Sequence, residues 1–205
     1  MKKVVKNSIL TATIAVAMMF FGGCNKDDTP ALESGAFNGS VRIEISPASN
    51  VTQAWATVRE GNDVTNLVSS TYSSGRFSFS LPKTLPKEVE KFLMDIDEFF
   101  EDYLEVSGKL KYSDTKAQIL AVEFYGMRQQ GTSYTAVEEY VYATKDEKNM
   151  CVFVYVDSDV NVTGGSNITV MLEKGWNRIY GTEEGKNNRV STKVPKGDFE
   201  WLAYN

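Results

Sequence analysis

Gly75-Arg76-Phe77-Ser78-Phe79-Ser80-Leu81-Pro82 is the stretch on which the fold turns. Phe77, Phe79 and Leu81 alternate with Ser78 and Ser80, a period of two that suits an extended strand with one face in a core. Gly75 and Pro82 bracket the run as breakers. Upstream, Val41, Ile43 and Ile45 alternate with Arg42, Glu44 and Ser46 until Pro47 ends the strand. Residues 53–59, carrying Trp55, read as a second strand, with Gly61-Asn62-Asp63 as turn chemistry after it. Residues 66–72 and 76–81 flank Ser73-Ser74-Gly75 and read as a hairpin.

The period then changes. Val89, Phe92, Leu93, Ile96, Phe99, Phe100, Tyr103 and Leu104 recur at helical spacing. Pro86 suits a first turn, Thr84 a cap, and Ser107-Gly108 a stop. The expectation is one amphipathic helix over about 86–104, lying as a lid over an open sheet end. Strand signals return at 117–125, 134–143, 150–156, 158–163, 168–172, 175–180, 189–194 and 199–203. The fold class that follows is mainly β: a β-sandwich-like domain, or two small β-subdomains at 37–82 and 110–205 arranged around the helix. Residues 75–82 also resemble the Gly-x-Phe-x-Phe-x-Leu-Pro strand of prealbumin-like bacterial sandwich domains, which implies the same class.

The beginning of the chain carries a different message. Lys2, Lys3 and Lys6 precede an apolar run over residues 9–21, and Gly22-Gly23 lead into Cys24-Asn25-Lys26-Asp27-Asp28. A run that short matches a signal-peptide core; a membrane span needs roughly 20 residues. Phe21-Gly22-Gly23-Cys24 resembles the lipobox of bacterial lipoproteins, with Phe21 where Leu is commonest. Cys24-Asn25-Lys26-Asp27-Asp28 resembles the signal that sends Bacteroidota lipoproteins to the outer face of the outer membrane. The resemblance implies a signal peptide over 1–23, acylation of Cys24, a lipidated tether over 24–36 and a β-rich domain over 37–205, exposed at the cell surface. The acyl chains would hold the membrane: each buried lipid CH₂ contributes about 0.8 kcal/mol, and two or more chains anchor stably. In the second half, Tyr155-Val156-Asp157-Ser158-Asp159-Val160 and Lys174-Gly175-Trp176-Asn177 resemble stretches of uncharacterised Bacteroidota surface lipoproteins, which implies no activity.

Composition narrows the chemistry. Without residues 1–23 the chain has 19 Lys and Arg against 27 Asp and Glu, a net charge of −8. An acidic surface repels phosphate backbones, so no nucleic-acid partner is expected. The chain has no histidine. That removes Ser-His and Cys-His nucleophile pairs, histidine general bases and His-ligated zinc or haem. With Cys24 acylated, Cys151 stands alone in an apolar strand and reads as a buried small hydrophobe.

The remaining candidates are few. Asp157 and Asp159, with Asn161, could share a Ca²⁺ on a loop, but EF-hand spacing is missing. Asp95, Asp97, Glu98, Glu101 and Asp102 fall mostly on the polar face of the expected helix, where solvation explains them. No metal, cofactor or catalytic residue is expected. Trp55, Trp176 and Trp201, with Tyr125, Tyr134, Tyr140 and Tyr142, could stack on sugar rings, because flat aromatic faces bury sugar C–H surfaces. Tyr134, Tyr140 and Tyr142, together with Trp176, are the chosen ligand-contact residues. Glu138 and Glu139 share the strand of the three tyrosines, which argues for exposure. The functional expectation is a non-enzymatic surface lipoprotein, a binding or accessory module for a glycan or another envelope protein. The alternative is a structural or adhesin-type subunit.

Overall fold

Alternating strands with no long helix must bury their apolar faces by stacking sheets. The computed structural model of the chain does this twice. It describes residues 33–205 apart from 61, 62, 105, 107, 108, 165, 166, 185 and 186. The expected signal peptide, Cys24, the first part of the expected tether, Gly61-Asn62, Ser107-Gly108 and Gly165 lie outside the described residues.

Fourteen strands are described: β1 Ser40–Glu44, β2 Gln53–Glu60, β3 Asp63–Thr71, β4 Arg76–Ser80, β5 Met94–Asp95, β6 Lys111–Tyr112, β7 Gln118–Gln130, β8 Ser133–Thr144, β9 Asn149–Val156, β10 Val160–Gly164, β11 Ile168–Leu172, β12 Gly175–Glu184, β13 Asn187–Ser191 and β14 Phe199–Tyr204. β1 and β4 form a two-stranded antiparallel sheet. The other twelve form one sheet in the order β3-β2-β7-β8-β9-β12-β13-β11-β10-β6, with β14 on β8, β5 on β7 and a direct β7–β9 ladder. The fold is mainly β and sandwich-like, as the alternation predicts.

The middle of the large sheet is buried on both faces. Along β9, Cys151, Phe153 and Tyr155 enter a first core, while Val152, Val154 and Val156 meet a second. β7 divides in the same way: Leu120, Val122 and Phe124 against Ile119 and Ala121. Val41, Ile43, Phe77 and Phe79 of the small sheet cover the first core. Val160, Val162, Ile168, Val170 and Leu172 of β10 and β11 reach the second, although these strands lie beyond β12 and β13 in the sheet order. The sheet therefore curls back over its own far face.

Two expectations change here. The single helix over 86–104 is replaced by α1 Lys87–Glu90, the two-residue strand β5, α2 Ile96–Glu98 and a π-helical turn Phe99–Tyr103. Pro86 occupies the capping position of α1, and no side chain caps it. The apolar stripe is real but serves two cores. Val89 and Phe92 pack in the first, Ile96, Phe99 and Phe100 in the second, and the break falls between Leu93 and Met94. A straight helix cannot face both sides of a sheet. The chain instead rounds the edge of β7, where β2 covers residues 123–127 and leaves Gln118 and Ile119 free for Asp95 and Met94.

The hairpin at Ser73-Ser74-Gly75 also changes. Ser74 and Gly75 both have positive φ (54° and 81°), as a tight primed turn requires, and Ser73 bridges Arg76. Beyond that bridge the arms separate: β3 pairs with β2, and β4 leaves to pair with β1. That departure carries Phe77 and Phe79 over the first core. A division into subdomains at 37–82 and 110–205 does not match this topology, because β2 and β7 share a ladder across it. Docking also starts before Phe37. Thr192 Oγ1 donates to the Glu33 carbonyl, Gly35 N donates to Met171 O (3.0 Å), and Phe37 N donates to Trp176 O (3.0 Å).

Candidate functional site

The four chosen aromatics are not brought together. Tyr140 is buried, its hydroxyl donating to Glu138 Oε2 (2.8 Å). Glu138 is buried too, and its other oxygen accepts from Ala48 N (3.0 Å), so an acid in the strand does not signal exposure here. Trp176 is buried, with its indole donating to Pro82 O (2.7 Å) and its ring against Tyr155. Neither ring can offer a face to a ligand. Tyr142 is half-buried among Phe153, Phe199 and Trp201. Tyr134 is half-buried, with its ring against Trp55.

The physical reason is one extra residue. Gly126 pairs with Glu138 and Met127 with Ala136, so Val137 is a bulge in β8. Side chains alternate along a strand, and a bulge inverts the alternation. Tyr134 and Tyr140 are six apart, yet they point to opposite sides of the sheet.

On the side of Tyr134, ladder partners share a face. Trp55 of β2 pairs with Tyr125 of β7, which pairs with Glu139 of β8; Thr57 pairs with Glu123. On this side Thr57, Tyr125 and Met127 are buried, and Trp55, Tyr134 and Glu139 are half-buried. The rings of Trp55 and Tyr134 meet at 5.0 Å and 48°. Beside them runs a polar chain. Arg59 Nη2 donates to the Tyr125 hydroxyl (3.1 Å), and that hydroxyl donates to Glu123 Oε2 (2.7 Å). Arg59 Nε lies 3.3 Å from the same oxygen. The guanidinium also lies over the Tyr125 ring, 5.8 Å from its centroid.

The charges do not balance. Arg59 neutralises Glu123, and Glu139 is left over. Its half-buried carboxylate makes no hydrogen bond or ion pair among the described residues. Burial pushes the Glu139 carboxyl above its ordinary value and the negative Glu123 adds to this, while Arg59 acts the other way. Burial and the bond to Glu123 hold the Tyr125 phenol far above its usual range, so it remains a protonated donor. Such a face combines aromatic surface from Trp55 and Tyr134 with a carboxylate and a guanidinium.

Elsewhere the candidates are occupied. Asp157 Oδ1 accepts from Gln118 N (2.9 Å) and Ser158 Oγ (3.2 Å), and Asp159 Oδ1 accepts from Lys174 N (2.7 Å). Those oxygens pin loops. No group of three or more Cys, Asp or Glu suited to a metal occurs among the described residues. Asp95, Asp97, Glu98 and Glu101 are exposed. Burial pushes the Cys151 thiol up to about 12.

Sequence reasoning missed Arg59, Glu123 and Glu139 as a group. The alternations Trp55-x-Thr57-x-Arg59 and Glu123-x-Tyr125 mark two polar-aromatic faces, but only the ladder register shows that they are one. No family model matches the chain, and neither a curated protein nor a solved structure matches it.

Proposed function

We propose that this protein is a lipid-anchored envelope protein that binds a glycan, without transforming it, on the Trp55–Tyr134 face of β2, β7 and β8. Trp55 and Tyr134 stack on a sugar ring, and Glu139, Arg59 and Glu123 meet its hydroxyl groups. The observation that carries this reading is the Trp55–Tyr134 ring pair on the same sheet face as a carboxylate with no partner among the described residues, two strands from Trp55. The Cys24 motif supports acylation and display at the outer membrane. Eight residues separate Cys24 from Glu33, whose carbonyl is bound by Thr192; at about 3.3–3.6 Å per extended residue they can reach no further than roughly 30 Å.

A glycan array probed with the full chain in detergent tests the reading. Binding to at least one oligosaccharide that disappears in Trp55→Ala and Tyr134→Ala, but survives Trp176→Phe, supports it. Binding indifferent to Trp55 and Tyr134 refutes it. Labelling with palmitate, lost in Cys24→Ser, tests the anchor.

A second reading has one observation behind it. β3 pairs only with β2 among the described residues, and its stretch from Val64 to Thr71 carries no charge. Native sheets usually protect such an edge. A subunit that adds a strand there would self-associate or bind an envelope partner, and sedimentation of the full chain against a Leu67→Lys variant separates this from glycan binding.

A further inference from the structure

We infer that the sugar bound on the Trp55–Tyr134 face carries a primary ammonium group: the ligand class is an amino-sugar oligosaccharide. This rests on the glycan reading above and narrows it. The polar group of the site holds one guanidinium and two carboxylates. Arg59 and the Tyr125 hydroxyl both converge on one oxygen of Glu123, so that carboxylate has its cation. Glu139 sits across the ladder from Tyr125 and has no cation or donor of its own among the described residues.

Three ligand chemistries meet this arrangement differently. A neutral or N-acetylated sugar stacking on Trp55 and Tyr134 strips more water from Glu139 and returns hydrogen bonds but no compensating charge. A uronic acid brings a third carboxylate beside Glu123 and Glu139 and is repelled. An ammonium supplies the missing charge, donates charge-assisted hydrogen bonds to Glu139, and is attracted by the negative faces of nearby aromatic rings. Specificity comes as much from what the surplus carboxylate rejects as from what it holds. Two independent features point at the same ligand. The ring pair offers aromatic surface to the C–H face of a sugar, and the unpaired carboxylate selects its charge.

The test is calorimetric titration of the full chain in detergent, at a pH where sugar amines are protonated. The probes are a glucosamine oligosaccharide, its fully N-acetylated counterpart and a uronate oligosaccharide of the same length. The glucosamine oligomer is expected to bind at least about tenfold more tightly than the N-acetylated one, with no signal from the uronate. Glu139→Gln should bring the ratio of the two affinities to about one, with the larger loss on the glucosamine oligomer, and Trp55→Ala should abolish binding of both. Equal affinity for the amine and the N-acetylated oligomer overturns the inference and leaves the glycan face standing. So does a preference that persists in Glu139→Gln. If no oligomer binds, or if Trp55→Ala changes nothing, the inference and the binding face fall together. Melting curves of both variants verify that the fold is intact.

Discussion

Phe153 and Val154 are consecutive residues of β9 that belong to different cores, and truncating each in turn tests whether the sheet is buried on both faces. Phe153 lies against Phe37, Phe124 and Tyr142 and is stacked on Trp201 (5.8 Å, 8°). Phe→Ala in a core costs about 3–5 kcal/mol. Phe37, Tyr142 and Trp201 are only half-buried and can relax into the gap, which puts Phe153→Ala near the lower end, about 3 kcal/mol. Val154 is fully buried in the second core. Val154→Ala removes two methyl groups at about 0.8 kcal/mol each and leaves a small cavity, for about 2 kcal/mol in total. Urea unfolding of the two variants, read as midpoint shifts at constant slope, supplies both numbers. At roughly 2–4 °C per kcal/mol for a domain of this size, Val154→Ala lowers the melting temperature by about 4–8 °C. On a sheet with one solvated face, a valine turned away from the core changes stability by no more than about 0.5 kcal/mol. A Val154→Ala cost that small, beside a large Phe153→Ala cost, would refute the second core and with it the explanation of the broken helix.

Other consequences follow from particular residues. Gly126→Ala drives a Cβ into the Tyr140 hydroxyl, which its bond to Glu138 holds in place, and places it 3.1 Å from Val51 Cγ1; a loss of about 1–3 kcal/mol is expected on denaturant unfolding. Cys151, buried with its thiol raised to about 12, should resist iodoacetamide at neutral pH in the native chain and react readily once denatured, as a timed mass-spectrometric assay would record. Glu139 faces Glu123, Arg59 and Tyr125, with Tyr204 of β14 beside it. Its folded carboxyl holds a proton more tightly than the unfolded chain does. Ionisation therefore weakens the fold as pH rises from the ordinary 4.5 through the raised value. The melting temperature of Glu139→Gln relative to the parent should be near zero difference below pH 4.5 and positive at neutral pH.

Strands were legible wherever one face meets a core and the other meets solvent. Phe77-Ser78-Phe79-Ser80 and Ile168-Thr169-Val170-Met171-Leu172 alternate as a half-buried strand must, and both are strands. Met150–Val156 reads as a continuous apolar run because both its faces are covered, and the run alone does not reveal two cores. The helix failed for a related reason. Helical spacing from Val89 to Leu104 is a local property, while the switch of face between Leu93 and Met94 depends on where the edge of β7 is free. The ligand face was legible in its parts: Trp55, Tyr125 and Tyr134 are all visible as strand aromatics. Their grouping depends on the Val137 bulge, which separates Tyr134 from Tyr140, and on the β2–β7–β8 register, which sets Glu139 beside Tyr125. Neither is a property of any single strand.

The central claim, that the Trp55–Tyr134 face is where ligand sits, is tested most directly by tryptophan emission during titration with a glucosamine oligosaccharide. The chain has three tryptophans. The indole of Trp176 is held by Pro82 O and that of Trp201 by Arg42 O, both on the side of the first core. The account predicts a saturable emission change that vanishes in Trp55→Phe and persists in Trp176→Phe and Trp201→Phe. A change that survives Trp55→Phe, or one that disappears with Trp201, would contradict it.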